Sequence, residues 1–463
     1  MTRSVGLNEL RAAMSGAVVD STSPDYDDVR RVWNADHDRR PAVIARCASP
    51  DDVVAALSYA REHGLEIAVR GGAHSFPGMS TVDDGLVIDL SPLNQVRVDP
   101  AARRAVVGGG ALLADLNAAT QEHGLAVPTG IVSHTGVGGL TLGGGMGWLT
   151  RLGGLTSDNL VSAQVVTADG RVLRVTEEAN PELFWALRGG GGNFGVVTEF
   201  EFRLHEVGPL IQFGLLFWGP EQGADVLRLA QRLNESLPRS LYVMPGGVHA
   251  PPEDFVPEQY RLQPGFVLMI AGYGGEQEHA DLVARVREEL PPLFAFVTPM
   301  PYVALQQLFD EASAWGQYNY EKSLYLEEIT EDAISVITEM MPGKRSPLSL
   351  MLLYRLDEAY SEVGETATAF GGGRGTRYAM FILGVCPTPE LLVADRAWAR
   401  EFFAAMRPLS MGGATYINAL AVDDDQDRMR ASYGDAKLER LARIKGRYDP
   451  GNIFHHNVNI KPL

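Results

Sequence analysis

The feature that most restricts this chain is the placement of its glycines. Fifty of the 463 residues are glycine, and they cluster at 71–78, 108–110, 136–147, 153–154, 189–195 and 371–375. A single cluster marks a tight turn. Repeated clusters within one region predict a cradle, because glycine lets bare backbone N–H groups close on a ligand such as a diphosphate. A literal G-x-G-x-x-G occurs at Gly190, Gly192 and Gly195, but it follows a helical stretch and precedes a strand. Dinucleotide binding of the Rossmann kind needs the reverse order, so this match indicates a turn and not an NAD site. No G-x-x-x-x-G-K-[ST] is present, which excludes a P-loop nucleotide triphosphatase.

Between the clusters, the first third alternates strands and helices. AVIARC (42–47) reads as a strand, DDVVAALSYAREH as a helix opened by Ser49 and Pro50, and LEIAVR as a second strand, which together make a βαβ unit. GLVIDL (85–90) and RRAVVGG continue the strands, ALLADLNAATQEH reads as a helix, and VVTADGRVLRVT (165–176) as a hairpin turning at Asp169-Gly170. PELFWALR is helical in pattern, and VVTEFEFRL alternates like a half-buried strand. After Gly208-Pro209 the character changes. Apolar strands LIQFGLLFW, GFVLMIAGY, LSLMLLYRL and RYAMFILGV are separated by amphipathic helices such as ADVLRLAQRLNESL, DAISVITEMM and RAWAREFFAAM. These predict a second domain, a broad and mainly antiparallel sheet backed by helices.

Composition closes off other classes. Apolar residues are 45% and charged residues 21%, which is globular composition. A formal charge of −18 repels polyanions, so nucleic acid is not expected as a partner. Only Cys47 and Cys386 are present, so neither a disulfide framework nor a cysteine metal site is expected, and a reducing cytoplasm is. Residues 1–16 lack the pattern of a cleaved leader, and no uncharged apolar run long enough for a membrane span follows. His455 and His456 are adjacent, and on an extended chain would face opposite ways without an acidic ligand set, so no metal site is expected. There is no G-x-S-x-G of a serine hydrolase.

VRGGAHSFPG, Val69 to Gly78, has the form of a ligand loop directly after a buried strand. Gly71 and Gly72 expose backbone donors, Arg70 and Ser75 offer a charge and a hydroxyl, and His74 offers a nucleophilic imidazole.

RGGAHS (70–75), SHTGVGGLTLGGGMGWLTRLGGLTSDNL (133–160), GNFGVVTEF (192–200), TYINA (415–419) and RYDPGNIFHHNVNI (447–460) together resemble the berberine-bridge-enzyme-like FAD oxidases. The resemblance runs along nearly the whole chain. It implies an α+β fold: a PCMH-type (vanillyl-alcohol-oxidase) FAD-binding domain over 1–208, a substrate-binding domain over 209–420, and a C-terminal return to the FAD-binding domain over 421–463. It implies FAD bonded covalently to a ring nitrogen of His74, with Arg70, Gly71, Gly72, Ala73 and Ser75 around the diphosphate. Thr135, Gly136, Gly138 and Gly139 would line the diphosphate and flavin, Asn159 would join the cofactor shell, Val197 would meet adenine, and Asn457 and Asn459 would return to the flavin. R-G-G-A-H here replaces the R-S-G-G-H of many relatives, which keeps the backbone donors. Where many members carry a cysteine that attaches a second time, this chain has Val132, so one link is expected, through His74.

For the chemistry, the resemblance places Tyr416 and Asn418 of a Tyr-x-Asn strand against the flavin. Tyrosine, with an ordinary pKa of about 10, needs a nearby positive charge to act as a base. YNYEKS (318–323) is similar to another pocket-lining segment, and Lys322 would supply that charge. Trp148 is placed to form a pocket wall. The expected reaction is oxidation of a small alcohol, amine or phenol, with O2 reoxidising the flavin to give H2O2. A flavin-dependent oxygenase or oxidative cyclase uses the same residues, and a non-catalytic flavin-binding protein is the alternative of another class.

Overall fold

The structure is a computed structural model that describes residues 7–420 and 426–463. The boundary expected at residue 421 therefore lies outside the described residues, as does the start of the N-terminal reading. The fold is α+β and is built on three main sheets.

The first is a four-stranded sheet. Its strands Val43–Arg46 and Ile67–Arg70 are parallel, as the βαβ reading requires, but Leu86–Asp89 lies between them and pairs with both. The intervening helix Pro50–His63 begins at Ser49, whose side chain accepts from the Asp52 N–H, and ends at Gly64 in the left-handed region. The second sheet has five antiparallel strands, with Val196–Arg203 at its centre between Arg104–Gly108 and Leu160–Val166. The hairpin at Asp169-Gly170 forms as expected, joining Leu160–Val166 to Val172–Val175. All strands of these two sheets precede Gly208.

The third sheet has seven antiparallel strands, all between Leu210 and Cys386. It includes Leu241–His249 and Phe294–Pro301, which are not among the strands expected from the sequence and both contain proline. Pro299 and Pro301 sit on an edge strand, where a missing N–H costs nothing on the open side. Pro245 lies in an inner strand that meets one neighbour only at Gly246 and Gly247.

One face of this sheet packs on helices Gly223–Glu235, Glu276–Glu289, Glu331–Met340 and Pro389–Met406. Its other face carries Leu352, Tyr354, Phe381 and Tyr325 toward the glycine-rich loops, where Met146, Trp148 and Tyr416 join the same core. The C-terminal helix returns to the second sheet, burying Leu441, Ala442, Ile444 and Tyr448 with Phe200 and Phe202. Among the described residues no helix is long and apolar enough to cross a membrane.

Candidate functional site

A cavity of about 400 Å3 lies between the glycine-rich loops and the inner face of the seven-stranded sheet. Its first wall is the loop that follows Ile67–Arg70. Gly71, Gly72, Ala73, His74 and Ser75 all line it. The loop turns at Ala73, which holds a positive φ of 56°. The N–H groups of Gly72, Ala73, His74 and Ser75 meet no main-chain carbonyl among the described residues. Thr135, Gly136, Gly138 and Gly139 form the facing wall. The two walls touch where only glycine fits: a Cβ on Gly72 would lie 2.3 Å from the Gly136 nitrogen, and one on Gly136 would lie 2.3 Å from the Gly72 nitrogen. Gly192, Val197, His456 and Asn457 extend the cradle.

Four expected site residues are placed otherwise. Arg70 does not line the cavity. As the last residue of its strand it points away from the loop, donating to Asp89 at 2.8 Å and to the Val29 carbonyl at 2.6 Å. Burial favours the neutral form of Asp89, but the Arg70 guanidinium and the Ser91 bonds outweigh it and hold that carboxyl below its usual range. Arg70 therefore braces the loop from behind and leaves backbone N–H groups to meet an anion. Asn159 is spent inside a turn, donating to the Gly153 and Leu155 carbonyls and meeting His205 Nε2 at 2.7 Å. Asn459 stands next to the cavity-lining Val458 but is not itself in the lining. Ser75 does line the cavity, though its hydroxyl also accepts from the Met79 N–H at 3.1 Å.

The fourth is Lys322. It lies on the edge strand Tyr318–Leu326, whose side chains alternate between the two faces of the sheet. Lys322 points to the helix side, with Nζ 5.7 Å from the ring centres of Tyr320 and Phe403. Its neighbour Glu321 faces the cavity instead. Burial pushes the Glu321 carboxyl up to about 8. No described residue hydrogen-bonds it. Trp148 is fully buried behind the wall, stacked on the cavity-lining Phe309.

Tyr416 and Asn418 do line the cavity, from a loop and a short 3-10 turn where a strand was expected. The Tyr416 hydroxyl accepts from the Gly145 N–H and from Asn418 Nδ2, both at 2.9 Å. Asn418 is fixed by a second bond to the Leu140 carbonyl and by its closeness to Gly143, where a Cβ would come within 2.0 Å of its Oδ1. Burial outweighs these two bonds and pushes Tyr416 up to about 12. Among the described residues no cation lowers it, so near neutrality the hydroxyl keeps its proton and can donate a hydrogen bond. Replacing Tyr416 with Phe strands the buried Gly145 N–H. The expected cost is about 1–3 kcal/mol of unfolding free energy, read by urea titration. If Tyr416 were the base, that variant would also lose turnover by the roughly 10²–10⁴-fold that general-base catalysis supplies.

His74 is held from two sides. Trp33 stacks on its ring with centroids 4.0 Å apart at 17°, and the Trp33 indole donates to the Ser313 carbonyl at 2.6 Å. His134 Nδ1 meets His74 Nε2 at 2.9 Å. Burial, and then the neighbouring His134, push His74 well below the usual histidine range, so the ring is neutral and keeps a lone pair. Sequence reasoning missed Trp33, His134 and Glu321. Glu321 and His134 each left a signal, as the chain neighbours of the already chosen Lys322 and Thr135; Trp33 left none.

These residues fit an FAD. The N–H cradle suits a diphosphate, Gly139 and Gly192 leave open space where side chains would stand, and the buried Oδ1 of Asn457 has no partner among the described residues. Comparison with known proteins agrees. The profile of the FAD binding domain family matches residues 41–176, and that of the "Berberine and berberine like" family matches residues 415–461. The chain is 32% identical over 476 residues to the (R)-6-hydroxynicotine oxidase of Paenarthrobacter nicotinovorans, covering 97% of each chain. The chain belongs to the berberine-like FAD-linked oxidoreductases. This berberine-like enzyme is also 31% identical to an FAD-linked oxidoreductase of Dictyostelium discoideum, over 99% of this chain and 97% of that one. The solved 6-hydroxy-D-nicotine oxidase of Arthrobacter nicotinovorans superposes with a TM-score of 0.85 at 29% identity, covering 97% and 98% of the two chains. The berberine-like chain is thus an FAD-linked oxidoreductase of the PCMH-type fold.

Proposed function

We propose that this enzyme is an oxidase that carries FAD on one covalent bond to His74 and oxidises a small, largely apolar amine, alcohol or phenol, with O2 as the electron acceptor and H2O2 as product. The observation that carries this reading is the pairing, in one enclosure, of the His74 loop with the Glu321 carboxyl. The flavin, when bound, supplies a hydride acceptor and passes the electron pair to O2. The chain supplies the rest.

Leu350, Leu352, Tyr354, Phe381, Leu383 and Val385 make an apolar wall on the sheet side. Such a wall leaves the many hydroxyls of an oligosaccharide without partners, which is costly on burial, and suits a compact apolar substrate. Glu321 takes the proton from the substrate oxygen or nitrogen, since a carboxyl raised to about 8 is a stronger base than an ordinary one. Tyr416 donates a hydrogen bond that orients the substrate, and Asn418 fixes the Tyr416 ring. In this reading residues 1–208 and 421–463 hold the cofactor, and 209–420 hold the substrate.

Acid precipitation tests the link. Yellow colour is expected to stay in the pellet for the native chain and to pass to the supernatant for His74→Ala, which should still bind FAD reversibly. Colour retained by His74→Ala overturns the assignment. Peroxide release across apolar amines, alcohols and phenols tests the reaction. Oxygen from O2 in the product would mark an oxygenase instead, and no turnover with any of them would mark a flavin carrier.

A further inference from the structure

Among the described residues, the one side-chain hydrogen bond of the His74 ring is with His134, which stands in the glycine-rich segment of the facing wall. We propose that His134 is a positioning residue for flavin attachment: its Nδ1 holds Nε2 of His74, so that Nδ1 of His74 is the atom presented to the flavin methyl carbon, and it receives the ring proton that leaves. The proposal rests on the covalent reading above.

The geometry assigns each nitrogen. His74 Nε2 and His134 Nδ1 are 2.9 Å apart, so one of them carries the shared proton. Nδ1 of His74 has no hydrogen-bond partner outside its own residue among the described residues. Trp33 covers one face of the His74 ring and its indole is anchored to the Ser313 carbonyl, so the ring cannot turn about its Cβ–Cγ bond, which would put carbons where Nδ1 and Nε2 stand, without breaking that stack. Nε2 of His134 is buried with no partner among the described residues. A buried, unpartnered imidazole nitrogen is costly as a purely structural feature and calls for a role.

The step balances. Nδ1 of His74 gives its lone pair to form the N–C bond, and the methyl carbon loses one hydrogen as a proton. The electron pair of that broken C–H bond remains with the flavin ring, which is reduced by two electrons. Nε2 of His74 releases the second proton along its bond to His134. Molecular oxygen then takes two electrons and two protons to become H2O2, and the flavin returns to its oxidised form.

The intact mass of the denatured chain gives the fraction carrying flavin. In native protein that fraction should be near complete. His134→Leu should bind FAD reversibly but attach it at least tenfold more slowly when FAD is supplied to the purified protein. His134→Asn, whose side-chain oxygen can accept in place of Nδ1, should recover attachment. The flavin-bearing peptide of native protein should carry its substituent on Nδ1. Equal attachment rates in native protein and His134→Leu, no recovery in His134→Asn, or a substituent on Nε2 overturns the role of His134. A native chain with no covalent flavin overturns the underlying reading, and the proposal with it.

Discussion

Replacing Glu321 with Gln is expected to lower kcat by about 10²–10⁴-fold, the range that general-base catalysis supplies, while leaving the bound flavin content unchanged. The amide keeps the shape of the side chain but cannot take a proton. Because burial raises the carboxyl to about 8, its basic form grows as pH rises, so native kcat/KM should climb through pH 8 and level off above it. The Gln variant should lack that limb. Stability should move the other way. A carboxyl raised on folding contributes stability fully below its ordinary range, and loses it as pH rises through the folded value. Native protein should therefore melt lower at pH 9 than at pH 6, and Glu321→Gln should narrow that difference. A variant that turns over within tenfold of native, with the same alkaline limb, would remove Glu321 from the mechanism.

Glu321 also shows where the sequence was and was not legible. The glycine loops at 71–78 and 136–147 could be placed because their need is local: Gly72 and Gly136 approach so closely that no other residue fits either position. The strand-loop-histidine order of 69–78 was readable for the same reason. Direction across a strand was not. Arg70 and Lys322 are each one residue from a cavity-lining neighbour, and a side-chain period of two sends them to the opposite face. Which face is buried against what depends on sheet order, and sheet order is set by long-range pairing such as the placement of Leu86–Asp89 between two earlier strands. Asn159 was misplaced for another reason, since its side chain closes its own turn and is not free for a ligand. Trp33 stood beyond reach because its partners are His74 and Ser313, which only tertiary folding brings to it.

Replacing Lys445 with Met should cost about 3–5 kcal/mol of stability, because it leaves a buried carboxylate without its counter-charge. Lys445 and Asp449 are both fully buried and 2.7 Å apart. Lys445 also donates to the Asn193 carbonyl at 2.7 Å and to the Phe454 carbonyl at 2.9 Å. Asp449 in turn accepts from the Ile453 and Phe454 N–H groups. This cluster ties the chain just before His456, Asn457 and Val458, which line the cavity, to the loop of Asn193, which lines it too. Loosening it should be felt at the cofactor as well as in the fold. Lys445→Met should weaken FAD affinity, measured in a His74→Ala background so that no bond to His74 masks the change. Urea titration gives the stability change, and flavin fluorescence on titration gives the affinity. If the variant unfolds within 1 kcal/mol of native, the pair is not the latch of the C-terminal segment. If stability falls while FAD affinity holds, the latch secures the fold alone, and His456 to Val458 find their places on the cavity wall without it.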